Sequence, residues 1–199
     1  MVGPKLVSFR PLQLPTAKPS VAWVSSYQAS QFTPVRAPNS LFATTVTGAV
    51  GEMYLDSAII VKLLIREPDS EFFDSALSGQ VLDSSELCLT EVCSALLAKE
   101  RAGSITARER RQAMEQFHSL VQNDVLRLYP MNSRTLTRAA AIMEACHPRV
   151  ALRTLDALHV ATCDLYQCET LCATDSRMRS AGAQLALKLF PASPDEAEK

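Results

Sequence analysis

Residues 152–175 read LRTLDALHVATCDLYQCETLCATD, and this stretch carries the most information about the fold. Asp156 opens a helix, expected over 154–166, whose next residues (ALHVATC) are so apolar that it must be largely buried. A short apolar run at 170–173 then reads as a strand, and Asp175 stands two residues past Ala173. A buried helix leading into a short buried strand is the repeating unit of a parallel sheet covered on both faces.

Working outward, the same alternation continues in both directions. Toward the amino terminus, 53–55 reads as a strand and 57–65 as a helix. A second helix is expected over 68–77, with Pro68 near its first turn and Ser78-Gly79 closing it. The apolar run at 86–89 suggests another buried strand, and a helix follows from Thr90 to about Ala102, ended by Gly103. Thr106 and Glu109 match a capping box at the start of a helix reaching about Asn123. A strand is expected at 125–129 before Pro130, and a helix at 133–146 before His147-Pro148. Toward the carboxyl terminus, 176–183 reads as a last helix, 185–190 as a last strand or extended segment, and 191–199 as a polar tail.

Residues 1–51 differ in kind. They hold six of the eleven prolines, many Ser and Thr, four basic residues and no acid; Glu52 is the first acidic residue. Proline at this density removes backbone donors and blocks helix, so the segment through residue 52 is expected to be extended or disordered. Two other readings stay open: a transit-peptide-like leader, which the acid-free composition loosely suits, and a biological start at Met53 with the preceding segment mis-called.

The chain as a whole has 199 residues, 47% hydrophobic content and a net charge of −1. That suffices for one domain with a substantial core, expected over 53–190. From Met53 onward there are 16 basic and 20 acidic residues, a net of −4, which argues against a broad basic groove gripping nucleic acid by charge alone. The six cysteines form no Cys-x-x-Cys pair and mostly sit in apolar surroundings, as reduced structural thiols of a cytoplasmic protein do. No stretch approaches the roughly 20 apolar residues of a membrane span.

Four carboxylates end short apolar runs or stand beside them: Asp56 in YLDSAIIVKLL, Glu91 in LTEVCSALLAKERAG, Asp156 in LRTLDALHVATC and Asp175 in ATDSRMRSAGAQLAL. All four fall at strand-to-helix junctions or in first helical turns, and in a parallel α/β fold ligands bind beyond the carboxyl ends of the strands. Each acid alone is explicable as a helix cap favoured by the macrodipole. Gathered together, they would repel unless a hard cation neutralised them. Spacing does not separate these two readings.

The local contexts do. In order and spacing the four segments resemble those of PIN-domain nucleases, and within that superfamily the toxin ribonucleases of VapC type. The resemblance covers about 53–190 and is most specific over Leu152–Thr162 together with Thr174-Asp175. It implies a three-layer α/β/α sandwich with a short parallel sheet, and a pocket that binds Mg2+ or Mn2+. Carried over, Asp56, Glu91, Asp156 and Asp175 would be the metal-binding and catalytic acids. Thr174 would orient the last acid or a water, and Ser57 is a weaker candidate beside the first. The resemblance also implies a cognate antitoxin, which would insert a peptide into the acidic groove, and a homodimer. The chemistry suits these residue types, since a divalent ion acidifies water for in-line attack on phosphorus and a carboxylate can accept the proton.

Other residues divide between structural and functional readings. His159, three residues after Asp156 on the same helical face, reads as a packed histidine near the site before it reads as a metal ligand. Asp164 reads as solvated or capping. Arg108, Arg110 and Arg111 read as a solvated helix face, whereas Arg153, Arg177 and Arg179 flank the acids and could guide an RNA backbone. The competing functions are a non-catalytic PIN-like protein-binding module and a phosphodiesterase acting on another nucleic acid.

Overall fold

The computed structural model describes residues 52–192. The expectations for the amino-terminal segment and for most of the polar tail therefore lie outside the described residues. Five strands and seven helices alternate: β1 (Glu52–Leu55), α1 (Ser57–Leu64), α2 (Ser70–Leu77), β2 (Val81–Ser85), α3 (Cys88–Arg101), α4 (Ala107–Gln122), β3 (Leu126–Tyr129), α5 (Ser133–Cys146), α6 (Thr154–Leu165), β4 (Thr170–Cys172), α7 (Ser176–Gln184) and β5 (Lys188–Phe190). The strands form one sheet in the order β3-β2-β1-β4-β5, with every neighbouring pair parallel.

Strand alternation divides the core in two. Successive side chains point to opposite faces, so Leu55 packs with Ile59, Phe73, Val92 and Phe117 under α1–α4. Its neighbour Tyr54 packs with Ile142, Val160, Leu171 and Met178 under α5–α7. The result is the three-layer α/β/α sandwich expected from the resemblance. Local signals explain most boundaries. Thr106 and Glu109 form the reciprocal capping box of α4, and Gly103, with φ of +73°, takes the left-handed turn after α3. Among the described residues no helix is long and apolar enough to cross a membrane.

One strand lies elsewhere than expected. Residues 86–87 are not a strand but the turn into α3, which already includes 88–89, whereas β2 is the preceding VLDSS. That sequence looks too polar to be buried, yet Asp83 and Ser84 find partners inside. Arg127 of β3 grips Asp83 with Nε at 2.7 Å and Nη2 at 2.8 Å, and Ser84 Oγ donates to the Leu55 carbonyl at 2.9 Å. The last strand is also shorter than expected, because residues 185–187 close α7 and turn.

Candidate active site

β1 lies at the centre of the sheet. From it the chain builds outward to β2 and β3 on one side, and later to β4 and β5 on the other. The crevice at such a reversal is where open α/β sheets place ligands. Asp56 stands at this point, its backbone N–H bonded to the Cys172 carbonyl at the end of β4.

Asp56 is also the N-cap of α1, its Oδ1 accepting from Ile59 N–H at 2.8 Å. Asp175 N-caps α7 in the same way, its Oδ1 accepting from the N–H groups of Arg177 and Met178 at 2.9 and 3.0 Å. The capping reading therefore holds for both, but it uses only one oxygen of each. Asp56 Oδ2 makes no hydrogen bond among the described residues, and Asp175 Oδ2 has only a 3.5 Å contact from Arg153. Capping and ligand binding are compatible on one side chain.

Asp156 and Glu91 project from the first turns of α6 and α3 without capping either helix. Asp156 Oδ2 is buried and has no hydrogen-bond partner among the described residues; the nearest cation, Arg153 Nε, is 3.7 Å away. An orphaned buried carboxylate oxygen is costly unless something else binds it. Glu91 Oε2 accepts from Ser57 Oγ at 2.6 Å and lies 2.7 Å from His159 Nε2.

The electrostatics tie the acids to one another. Burial pushes the Asp56 carboxyl up to about 6, and the negative charges of Glu91 and Asp175 add to that rise. Asp156 is raised by burial and then by Asp175. Glu91 is also pushed up by burial, but the hydrogen bonds from His159 and Ser57 outweigh it and leave its carboxyl below the ordinary value. Asp56 and Asp156, each raised by the charge of Asp175, form with Asp175 and an ionised Glu91 an all-oxygen donor set of the kind a hard divalent cation takes. Among the described residues no three acids, histidines or thiols are already arranged to hold an ion. The fit therefore lies in the kind of donor and in the unsatisfied oxygen.

Other expected residues fall less uniformly. Ser57 bonds directly to Glu91, a closer involvement than its place beside Asp56 suggests. Thr174 is half-buried and makes no hydrogen bond to Asp175 among the described residues. Arg153 and Arg177 are exposed at the first turns of α6 and α7. Arg179 is a correction: it is buried, and its guanidinium donates to the carbonyls of Ala173, Pro191 and Ala192, so it braces the chain rather than facing RNA. Asp164 is neither solvated nor a cap but pairs with Arg138 at 2.7 Å. Of the three arginines on α4, Arg108 and Arg111 are exposed as expected, while Arg110 pairs with Glu100. Sequence reasoning missed Tyr54, whose Oη lies 2.9 Å from His159 Nδ1. Nothing beside it in sequence signals this, since the partner lies 105 residues away.

Comparisons with known proteins agree with this architecture. The sequence model of the PIN domain family matches residues 53–184. Ribonuclease VapC46 of Mycobacterium tuberculosis is 34% identical over 141 residues, covering 69% of this chain and 95% of the relative. Among solved structures, FitAcB from Neisseria gonorrhoeae superposes with a TM-score of 0.54 at 14% identity, covering 70% of this chain and 97% of that one. VapC20 of Mycobacterium tuberculosis, described as a sarcin-ricin loop cleaving toxin, gives 0.52 at 16% identity, covering 65% and 95%. The chain, with its matched profile and its sandwich of five parallel strands between two helical layers, belongs to the PIN domain family.

Proposed function

We propose that this chain is a metal-dependent endoribonuclease that acts as the toxin of a toxin–antitoxin pair. The observation that carries the reading is the buried Oδ2 of Asp156, which accepts no hydrogen bond among the described residues, set among three further acids at the reversal of the sheet. Kinship with a protein named Ribonuclease VapC46 supports RNA as the substrate.

In this reading Asp56, Glu91, Asp156 and Asp175 hold Mg2+ or Mn2+, which supplies positive charge and an acidified water for in-line attack at phosphorus. The protein's own residues do the rest. One of the carboxylates can take the proton that the attacking water gives up. Arg153 and Arg177, both exposed beside the acids, draw the phosphate backbone toward them. Thr174 orients Asp175 or a water next to it. An unrestrained nuclease would damage its own cell, so a cognate antitoxin protein in the cytoplasm is part of the proposal, as is a homodimer.

Replacing Asp56 or Asp156 by Asn abolishes RNA cleavage and growth inhibition in this reading; activity retained in either variant overturns it. Titration with Mn2+ provides the second arm. Absence of both specific binding and a thermal shift would make the chain a non-catalytic binding module instead.

A further inference from the structure

Tyr54 of β1, His159 of α6, Glu91 of α3 and Ser57 of α1 form a chain of side chains that the four-acid site does not itself require. His159 is 2% exposed and Tyr54 wholly buried. Tyr54 Oη meets Nδ1 of the imidazole at 2.9 Å, and the two rings pack edge to face with centroids 5.8 Å apart. The opposite nitrogen, Nε2, lies 2.7 Å from Glu91 Oε2. Ser57 Oγ reaches that same oxygen at 2.6 Å and lies 3.4 Å from Nε2.

The partners decide where the ring proton sits. An ionised carboxylate only accepts, so the nitrogen facing Glu91 must carry the hydrogen. Burial pushes the Tyr54 phenol well above its usual range. It therefore keeps its proton and can donate to Nδ1, which leaves Nε2 as the nitrogen that carries the hydrogen. Both donors to Glu91 converge on Oε2, and Oε1 makes no hydrogen bond among the described residues. A glutamate has three rotatable bonds, and ordering it costs free energy on every binding event unless the fold has already done so.

We propose that His159, braced by Tyr54, is a positioning residue for Glu91: its Nε2–H and the Ser57 hydroxyl clamp Oε2 and hold Oε1 ready for the cation. This deepens the reading of the site given above and rests on Glu91 being a ligand. Groups that orient metal-ligating side chains commonly change metal affinity when removed. The geometry here assigns that task to a core histidine acting on a glutamate.

The test compares His159→Gln with His159→Asn in the full-length protein. A glutamine amide nitrogen can reach the place of Nε2, whereas an asparagine amide reaches only that of Nδ1. Calorimetric titration with Mn2+ is expected to give a Kd within about threefold of wild type for His159→Gln and raised about tenfold or more for His159→Asn. In a Glu91→Gln background, His159→Asn should add nothing further. Equal effects of the two His159 variants, or losses that add to that of Glu91→Gln, would mean that His159 only packs the core. Independently, the two-bond 1H–15N spectrum of the metal-free wild type should show the His159 proton on Nε2, with Tyr54→Phe relaxing that preference. An Nδ1–H form overturns the proposal even where His159→Asn fails to fold. Wild type that binds no Mn2+ removes the reading of the site and this inference together. Wild type that binds, with His159→Asn binding equally well, removes the inference alone.

Discussion

Arg153 reaches Oδ2 of Asp175 at 3.5 Å across 22 residues of sequence, while its Nε lies 3.7 Å from Oδ2 of Asp156. Its guanidinium thus occupies the space between two acids proposed as cation ligands, and it is more than half exposed. Exposed ion pairs are worth little, so the side chain is easily displaced. Arg153→Gln removes a competing positive charge, and Mn2+ should bind about twofold tighter by calorimetry. The same change removes a phosphate contact, so the KM for RNA should rise and the slope of log affinity against log salt concentration should become shallower by about 0.7. Weaker Mn2+ binding would show that Arg153 supports the acids rather than competing for them.

Asp56 makes the metal-free fold pH-sensitive. Its carboxyl sits at about 6 in the folded protein against an ordinary 3.8, so the folded state binds the proton more tightly than the unfolded chain does. Stability is therefore highest below about pH 4 for this group and falls as pH rises toward 6. The full cost above that is at most about 3 kcal/mol. Asp56→Asn keeps the N-cap acceptor and removes the buried charge. It should raise metal-free stability by roughly 1–3 kcal/mol at pH 8, with the gain vanishing toward pH 4, while abolishing cleavage. Denaturant melts at the two pH values measure this, and a destabilised variant at pH 8 would contradict it.

Arg177 and Arg179 are two residues apart but should behave oppositely. Arg179→Met leaves the carbonyls of Ala173 and Pro191 without their donor and should cost roughly 2 kcal/mol in stability, with the KM for RNA unchanged. Arg177→Ala should leave the melting temperature alone and raise KM. Thermal melts paired with cleavage kinetics separate the two, and exchanged phenotypes would reverse their roles.

Asp83 is fully buried and is held ionised by Arg127, which also reaches Glu52. Burial raises the Asp83 carboxyl, and the arginine's hydrogen bonds oppose that rise. Arg127→Met should therefore destabilise by roughly 2–3 kcal/mol, somewhat less than for a wholly enclosed pair because Arg127 is partly open to water. Adding Asp83→Leu should recover most of that loss in equilibrium unfolding. A double variant no more stable than the single one would show that β2 needs the charge for another reason.

These relationships also explain what was legible in the sequence. The periodic helices and the capping box at Thr106 are local, so spacing and residue type reveal them. The places of Asp56, Glu91 and Asp175 in the fold were legible because each follows a strand and caps or opens the next helix, and that of Asp156 because its helix is too apolar to be exposed. What escaped depended on partners distant in sequence. β2 was displaced because the burial of Asp83 and Ser84 is made possible by Arg127 and by the Leu55 carbonyl. The role of Tyr54 was hidden because its partner lies 105 residues away. Arg179 was misread because nothing beside it in sequence shows that its guanidinium turns inward to the carbonyls after β5.

The two capping aspartates carry a charge that capping alone does not require. Asparagine closes a helix start about as well as aspartate does, and at position 56 it would do so without a charge forced out of water. The charge at position 56 thus opposes folding without improving the cap, and only a positive group bound from outside would offset it.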